Sequence, residues 1–507
     1  MTSHVIDFYK DKSVFLTGGT GFLGVCLIEK LLRKCTDLKN IYLLIRPKKG
    51  KQISERLEEL TKNSVFDKLR EDNKTELFKK LIAVSGDVSE NNLGLSSEDR
   101  SKLIENVQIV IHSAATLDFE ASLKSAVQIN LLGTRQVVQL CKEIRDLKAL
   151  VHVSSAYVNS VIEDVHEKVY PPPADVNEVL KLVKELDDEA LEEATPKLLG
   201  EHPNAYTFSK HLAEHEVVNG CIPSTIVRPS MIVGSWKEPM PGWTISKNGP
   251  QGFFMGASKG VVRRLPVATN VIYDYIPVDV VVNNLIVAAY AVNRDGGEET
   301  KVYHCTSSTT KPFKWEMLGV KLNTYLHKYP LKSAIWYPYI KFVPSLVLFK
   351  ISAIFVHFIP AYILDTITRL FGGRPILVRL HTNVNKSLGR LEKFIFTEWT
   401  FHNPRQLELY RSLSQEDKDA FFFDISTIVW DDYFLDLLLG VRTYLHKESK
   451  KNLEKARSKD KMLMVAHLSL QALLLGLCWW FVKAMLGSTW TKTGMVVPII
   501  YLLFDQL

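Results

Sequence analysis

One stretch limits the fold of this 507-residue chain more than any other: Thr17-Gly18-Gly19-Thr20-Gly21-Phe22-Leu23-Gly24. It follows the apolar run Ser13 to Leu16 and opens the amphipathic segment Phe22 to Lys34, so the local order is strand, glycine turn, helix. Gly18 permits the tight turn, Gly21 lets a pyrophosphate approach N–H groups at the positive end of the helix, and Gly24 lets the helix close on the sheet. A glycine turn with these flanks predicts a dinucleotide site over Thr17 to Gly24. The plainer alternative is a purely structural turn.

The segments that follow fit a doubly wound parallel sheet, in which ligands lie beyond the carboxyl ends of the strands. Ile41 to Ile45 reads as the second strand and ends at Arg46-Pro47-Lys48-Lys49. An acidic residue there would bind a ribose 2′-hydroxyl, whereas Arg46 and the lysines favour a 2′-phosphate and hence NADPH; a solvated basic turn is the alternative. Leu81 to Ser85 leads into Gly86-Asp87-Val88, and Gln108 to His112 into Ser113-Ala114-Ala115. Asp87 is then placed for the adenine amino group, or serves only as a turn or helix cap. Ala114 and Ala115 are placed to line the cofactor. Leu123 to Arg145 has helical spacing and carries Asn130, which by itself reads more readily as a packed, satisfied asparagine than as a functional one.

Leu150 to Val153 is a fifth strand, tipped by Ser154-Ser155-Ala156-Tyr157. Further on, Tyr206 and Lys210 stand at i and i+4 of a helix predicted to run to about Asn219, so phenol and ammonium share one face. The ammonium is expected to stabilise phenolate and lower the pKa of Tyr206, fitting it to act as a general acid.

Composition excludes several classes. The formal charge of +7 is modest and its positive residues form no block suited to nucleic acid; an acidic ligand or an anionic membrane surface fits better. Cys26, Cys35, Cys141, Cys221, Cys305 and Cys478 are far apart, with no Cys/His cluster at ligand spacing along the chain, so neither a metal nor a disulfide framework is expected. A reducing, cytosol-facing compartment and no signal peptide follow.

The set TGGTGFLG, SGDV, HSAA, NLLGT, VSSAYVN, YTFSK and RPSMIVGSW, in this order, resembles the extended short-chain dehydrogenase/reductases, and specifically the fatty acyl-CoA reductases of the male sterility family. The resemblance covers about Val14 to Asp279. It implies an α/β, Rossmann-type doubly wound parallel sheet with a smaller helical C-terminal domain and a C-terminal membrane segment. It also implies a catalytic set of Ser155 orienting the carbonyl, Tyr206 donating the proton and Lys210 holding the nicotinamide ribose, with Ser154 a rival to Ser155. The cofactor-lining set is then Thr17 to Gly24, Arg46, Asp87, Val88, Ala114, Ala115, Asn130, Tyr206, Lys210 and Pro229. The implied reaction is NADPH-dependent reduction of long-chain acyl-CoA through an aldehyde to a primary alcohol. Kept beside it are a membrane-bound reductase acting on a sterol or nucleotide sugar, and a non-catalytic NADPH-binding membrane protein. A homodimer is compatible with the resemblance.

The remaining chain supplies the substrate side and the anchor. Pro171-Pro172-Pro173 and the acidic run Glu178 to Glu193 read as a flap, or as a surface excursion. Lys247, Lys259, Arg263 and Arg264 are candidates for coenzyme A phosphates, with ordinary surface charge as the competitor. Asp279 is expected to cap a late helix. Ala334 to Leu370 is apolar but carries Pro338, Pro344 and Pro360, leaving a 15-residue proline-free piece, Ser345 to Ile359. That is short of the ~20 residues a membrane helix needs, so a monotopic element, a wall for an apolar substrate or core helices are expected. Val465 to Val482 is an 18-residue apolar run with Trp479 and Trp480 near one end, preceded by seven basic and three acidic residues over Lys447 to Lys461. This predicts a membrane helix with the catalytic part in the cytosol, on endoplasmic reticulum or peroxisome. The apolar patch Met495 to Phe504 is too short to span, and Asp505-Gln506-Leu507 is not the SKL address. The expected boundaries are 1–285 for the catalytic domain, 286–353 connecting, 354–445 for the C-terminal domain, 446–461 basic and 462–507 anchor.

Overall fold

Short runs of β-branched and aliphatic residues, most of them buried, build one seven-stranded sheet. Its strands are Val14–Thr17 (β1), Ile41–Ile45 (β2), Leu81–Ser85 (β3), Ile109–His112 (β4), Ala149–Val153 (β5), Ser224–Pro229 (β6) and Lys301–Cys305 (β7). They pair in parallel in the order β7-β6-β5-β4-β1-β2-β3. The order turns back between β1 and β4, the place where such sheets leave a crevice for ligands. This computed structural model describes residues 3–47 and 50–486. Lys48, Lys49, the patch Met495 to Phe504 and the terminal Asp505-Gln506-Leu507 lie outside the described residues.

The helix Phe22–Lys34 lies against the sheet because Val25, Leu27, Ile28, Leu31 and Leu32 repeat on its inner side and are almost wholly buried. Each contributes roughly 1.5–3 kcal/mol relative to an exposed side chain. β7 was not anticipated, since its Lys, Tyr and His residues break the apolar run. They fit because the buried His304 is partnered by Arg228 and the His402 carbonyl, while Lys301 at the strand's more open end pairs with Asp295.

Two compact units interleave along the chain. The first comprises Met1–Ser246, Ile272–Phe313 and Glu398–Leu437. The last of these segments joins it because Thr400–Phe401 pairs in parallel with Asp164–Val165 and the Tyr433 hydroxyl donates to the Gly234 carbonyl at 2.7 Å. The acidic insertion forms two helices, Val176–Glu185 and Asp188–Leu199. Val179, Val183 and Leu191 pack in one cluster with Leu123, Leu131, Phe208 and Leu212, so the insertion braces the helix that carries Tyr206 and is no loose excursion.

The second unit comprises Lys247–Val271, Lys314–Thr397 and Leu438–Leu507. Here the expectation from Pro360 is corrected: the chain stays helical from Leu346 to Leu370, 25 residues. The Ile359 N–H bonds to the Ile354 carbonyl, one residue further back than in an α-helix, and this wider turn just before Pro360 takes up the ring. Leu346–Leu370 and the region around Leu453–Leu486 are both long and apolar enough to cross a membrane by length and composition.

Candidate active site

The carboxyl ends of β1 to β5 carry the sequence-derived site residues side by side. At β1, Gly18 has φ +75°, and a Cβ on it would lie 2.7 Å from the Ala114 nitrogen. A Cβ on Gly24 would lie 2.3 Å from the Gly18 carbonyl, so glycine is required at both positions. Gly21 is the N-cap of the Phe22–Lys34 helix and offers no side chain to its first N–H groups, while Thr20 and Gly21 are exposed. A bare, open helix N-terminus fits a pyrophosphate.

Neighbouring strand tips extend the same edge. Arg46, beyond β2, is 71% exposed at its side chain, with Nε 3.5 Å from Asp87 Oδ2 beyond β3. Asp87 Oδ1 accepts from the N–H and hydroxyl of Ser89, so the residue shapes its own turn and keeps one oxygen toward Arg46. Val88 is buried under Gly133. Ala114 and Ala115 follow β4, half-buried, with the Ala114 N–H donating to Thr17 Oγ1. Asn130 sits in a π-type turn, Val127–Leu132, and ties two parts of the site together. Its Oδ1 accepts from the Thr116 N–H and its Nδ2 donates to Ser209 Oγ on the Tyr206 helix. Pro229 ends β6, buried and opposite Cys305.

At β5 the two serines part. Ser154 Oγ donates to Glu214 Oε1 at 2.5 Å, whereas Ser155 bonds the Tyr206 phenol and accepts from the Tyr157 N–H. Tyr206 and Lys210 are buried on the helix Ala205–Val218, which starts where Asn204 caps the Thr207 N–H. Lys210 Nζ donates to the Val153 carbonyl at 2.6 Å and lies 3.3 Å from His152 Nε2. The expected lowering of Tyr206 by Lys210 is therefore corrected. Burial pushes the phenol up to about 12 against the opposing Ser155 hydrogen bond, and Lys210 is itself brought down to about 8 by burial, with Glu214 opposing.

Four further residues support this corner: Arg228 and His112 lie within the RPSMIVGSW and HSAA motifs, whereas Glu214 and His152 lie outside the motif set. Arg228 grips Glu214 with two hydrogen bonds, at 2.8 and 2.6 Å, and both side chains are fully buried. Burial alone would raise Glu214, but Arg228 and the Ser154 hydroxyl hold it below its ordinary value. His152 and His112 sit with ring centroids 5.3 Å apart, and His112 bridges Thr17 at 2.7 Å and Thr134 at 3.0 Å. Burial, aided by the charge of Lys210, keeps both imidazoles neutral. A signal existed: Glu214 follows Lys210 by one helical turn, and each histidine interrupts an apolar strand.

Elsewhere the structure redirects two expectations. Asp279 does not cap its own helix: its carboxylate accepts from the N–H groups of Trp236, Lys237 and Glu238, fixing the loop after β6. Lys247, Lys259, Arg263 and Arg264 belong to the second unit, where Arg264 is buried and so is no ordinary surface charge.

Comparison with known proteins agrees with the motif set. Two family models, both described as male sterility protein, match residues 16–285 and 356–448. A Drosophila melanogaster protein named for fatty acyl-CoA reductase activity is 54% identical over the whole of both chains. Fatty acyl-CoA reductase 1 of Rattus norvegicus is 35% identical, covering 93% of this chain and 92% of its own. Among solved structures, the terminal R domain from the myxalamid biosynthetic pathway aligns with TM-score 0.56 at 18% identity over 87% of this chain and 92% of its own. The reductase domain of a nonribosomal peptide synthetase from Mycobacterium tuberculosis aligns with TM-score 0.54 at 19% identity, covering 88% and 96%. These structures share the fold, and the family models and full-length relatives agree: the chain belongs to the male sterility family of fatty acyl-CoA reductases.

Proposed function

We propose that this protein reduces long-chain fatty acyl-CoA to the primary alcohol, using NADPH, while anchored to a membrane. The observation that carries the reading is the Ser155–Tyr206 hydrogen bond at the tip of β5, with Lys210 one turn along the same helix and the glycine turn two strands away. Family membership disfavours a sterol or nucleotide-sugar substrate and a merely structural role. Gly18 to Gly24 would hold the cofactor pyrophosphate, Arg46 its 2′-phosphate, and Lys210 its nicotinamide ribose.

When bound, the nicotinamide would supply hydride to the carbonyl carbon. Ser155 and Tyr206 donate to the carbonyl oxygen as negative charge develops there, in a buried setting where fixed donors are most effective. The thioester becomes a hemithioacetal with a proton from Tyr206, and its collapse expels coenzyme A as the thiol and leaves the aldehyde. A second reduction repeats the proton donation on the aldehyde oxygen and gives the alcohol, so each acyl-CoA consumes two NADPH and two protons. Cys26, Cys35, Cys141 and Cys305 are buried, which suits a route with no cysteine nucleophile.

The test is palmitoyl-CoA with NADPH and the purified protein. Fatty alcohol or aldehyde should form with loss of NADPH, and Tyr206→Phe should lower kcat/KM by about 10²–10⁴-fold with NADPH binding retained. Wild-type turnover by Tyr206→Phe, or no product with any chain length, rejects the reading. The 2′-phosphate preference is tested separately: Arg46→Ala should weaken NADPH about tenfold and leave NADH unchanged.

A further inference from the structure

A second chemical cluster lies in the first unit, where the C-terminal segment meets the insertion after β5. Asp164 pairs with Thr400 and Val165 with Phe401 in a parallel ladder, and the His402 N–H donates to the Val165 carbonyl at 2.9 Å. His166 and His402 therefore stand next to each other one step further on. Asp164, two residues before His166, shares their face because side chains alternate along a strand. On the other face Val165 and Phe401 are fully buried, so the pleat leaves no freedom for the two faces to exchange.

The three exposed-side donors converge. The imidazoles of His166 and His402 are stacked, with centroids 4.4 Å apart and planes 6° from parallel. His402 Nε2 is 2.5 Å and His166 Nε2 4.0 Å from the same oxygen, Asp164 Oδ1. One ligand atom from each side chain lies within 4.8 Å of those from the other two. A single carboxylate can neutralise only one imidazolium, and two stacked imidazolium rings would repel. A divalent cation instead accepts the lone pairs of both neutral rings and the carboxylate at once. Bonds of about 2.0–2.2 Å would be reached by side-chain rotation, since the strand ends are fixed. The His402 carbonyl is held by His304 Nδ1 at 2.7 Å, and Glu167 accepts from the N–H groups of His304, Arg405 and Gln406.

We propose that Asp164, His166 and His402 bind a divalent transition-metal ion of the zinc type, which clamps the Glu398–Leu437 segment to the catalytic unit. Two nitrogens and one oxygen suit zinc better than magnesium or calcium, and solvent exposure leaves further positions for water. No spacing along the chain reveals this group, because Asp164 and His402 are 238 residues apart and only the fold joins them. The clamp also bears on the catalytic corner. Trp399 and Phe401 meet the ring of Tyr157 edge-on at 5.4 and 5.3 Å, and the Tyr157 N–H donates to Ser155 Oγ.

The experiment uses the full chain in detergent, stripped with a chelator, and titrated with zinc chloride at pH 7.5 against a chromophoric competitor. One equivalent should bind and raise Tm. Asp164→Asn and His402→Gln should each weaken binding at least tenfold and abolish the Tm rise. Unchanged circular dichroism and NADPH binding of these surface variants exclude misfolding as the cause. Absence of a saturable equivalent, or equal zinc affinity in wild type and a His166→Gln/His402→Gln variant, overturns the proposal. In that case the cluster is an exposed ion pair only.

Discussion

The helices Ala205–Val218 and Leu453–Leu486 invert each other. The first buries Tyr206, Thr207, Ser209, Lys210, His211 and Glu214; the second exposes Val465, Leu468, Leu473, Leu477, Trp480 and Phe481. Burying a polar group is costly unless it finds a partner, and exposing an apolar one to water is costly unless another phase covers it. For Tyr206, Lys210 and Glu214 the partners are identifiable: Ser155 for Tyr206, Val153 and His152 for Lys210, Arg228 and Ser154 for Glu214. In the second we propose that the covering phase is a bilayer. One helix is explained by its neighbours in the chain, the other by what surrounds the protein.

The largest effect that would break this contrast lies in the first helix. Glu214→Ala leaves Arg228 charged and buried without its partner, and should cost about 3–5 kcal/mol of stability. Thermal or denaturant unfolding measures it. A loss below about 1 kcal/mol would mean that water reaches Arg228 and that the corner is not sealed.

Next comes the second helix. Leu473 is 59% exposed near its middle, so in water Leu473→Arg would change stability by less than about 0.5 kcal/mol. In a bilayer the same change costs about 2.5–3.5 kcal/mol. Carbonate extraction of membranes from cells expressing the variant separates the two. Release of the variant with retention of wild type supports the anchor, and identical partition removes the reason for treating the two helices as opposites.

The contrast also explains what the sequence disclosed. The glycine turn, the strand tips and the Tyr206–Lys210 spacing are local patterns, and local geometry alone places them. Glu214 and His152 were overlooked because their meaning depends on Arg228 and Lys210, which only the sheet brings near. Pro360 misled for a related reason: its effect on a helix is set by the preceding turn, and a shift of one hydrogen bond to the Ile354 carbonyl absorbed it. The interleaved segment Glu398–Leu437 is rich in aromatic residues such as Phe421, Phe423, Trp430 and Phe434, but their burial and the two-residue ladder that place it are long-range and have no local pattern.

The smallest effect concerns protons at the buried corner. With Lys210 near 8 and Tyr206 near 12, the ammonium loses its charge well before the phenol does. The kcat/KM for acyl-CoA reduction should therefore be flat below about pH 8 and fall tenfold per pH unit above it, with no Tyr206 limb up to pH 10. Because the folded value lies below the ordinary lysine value of 10.5, the unfolded chain binds more protons between about pH 8 and 10.5, and the Lys210 contribution to stability rises across that window. His152→Leu removes an acceptor from the ammonium and should move the activity limb to lower pH by less than about one unit, while His152→Gln, which keeps an acceptor, should leave it in place. A limb that ignores both substitutions would detach His152 from Lys210. One that follows Tyr206→Phe instead would transfer the titration to the phenol and reverse the order of the two groups.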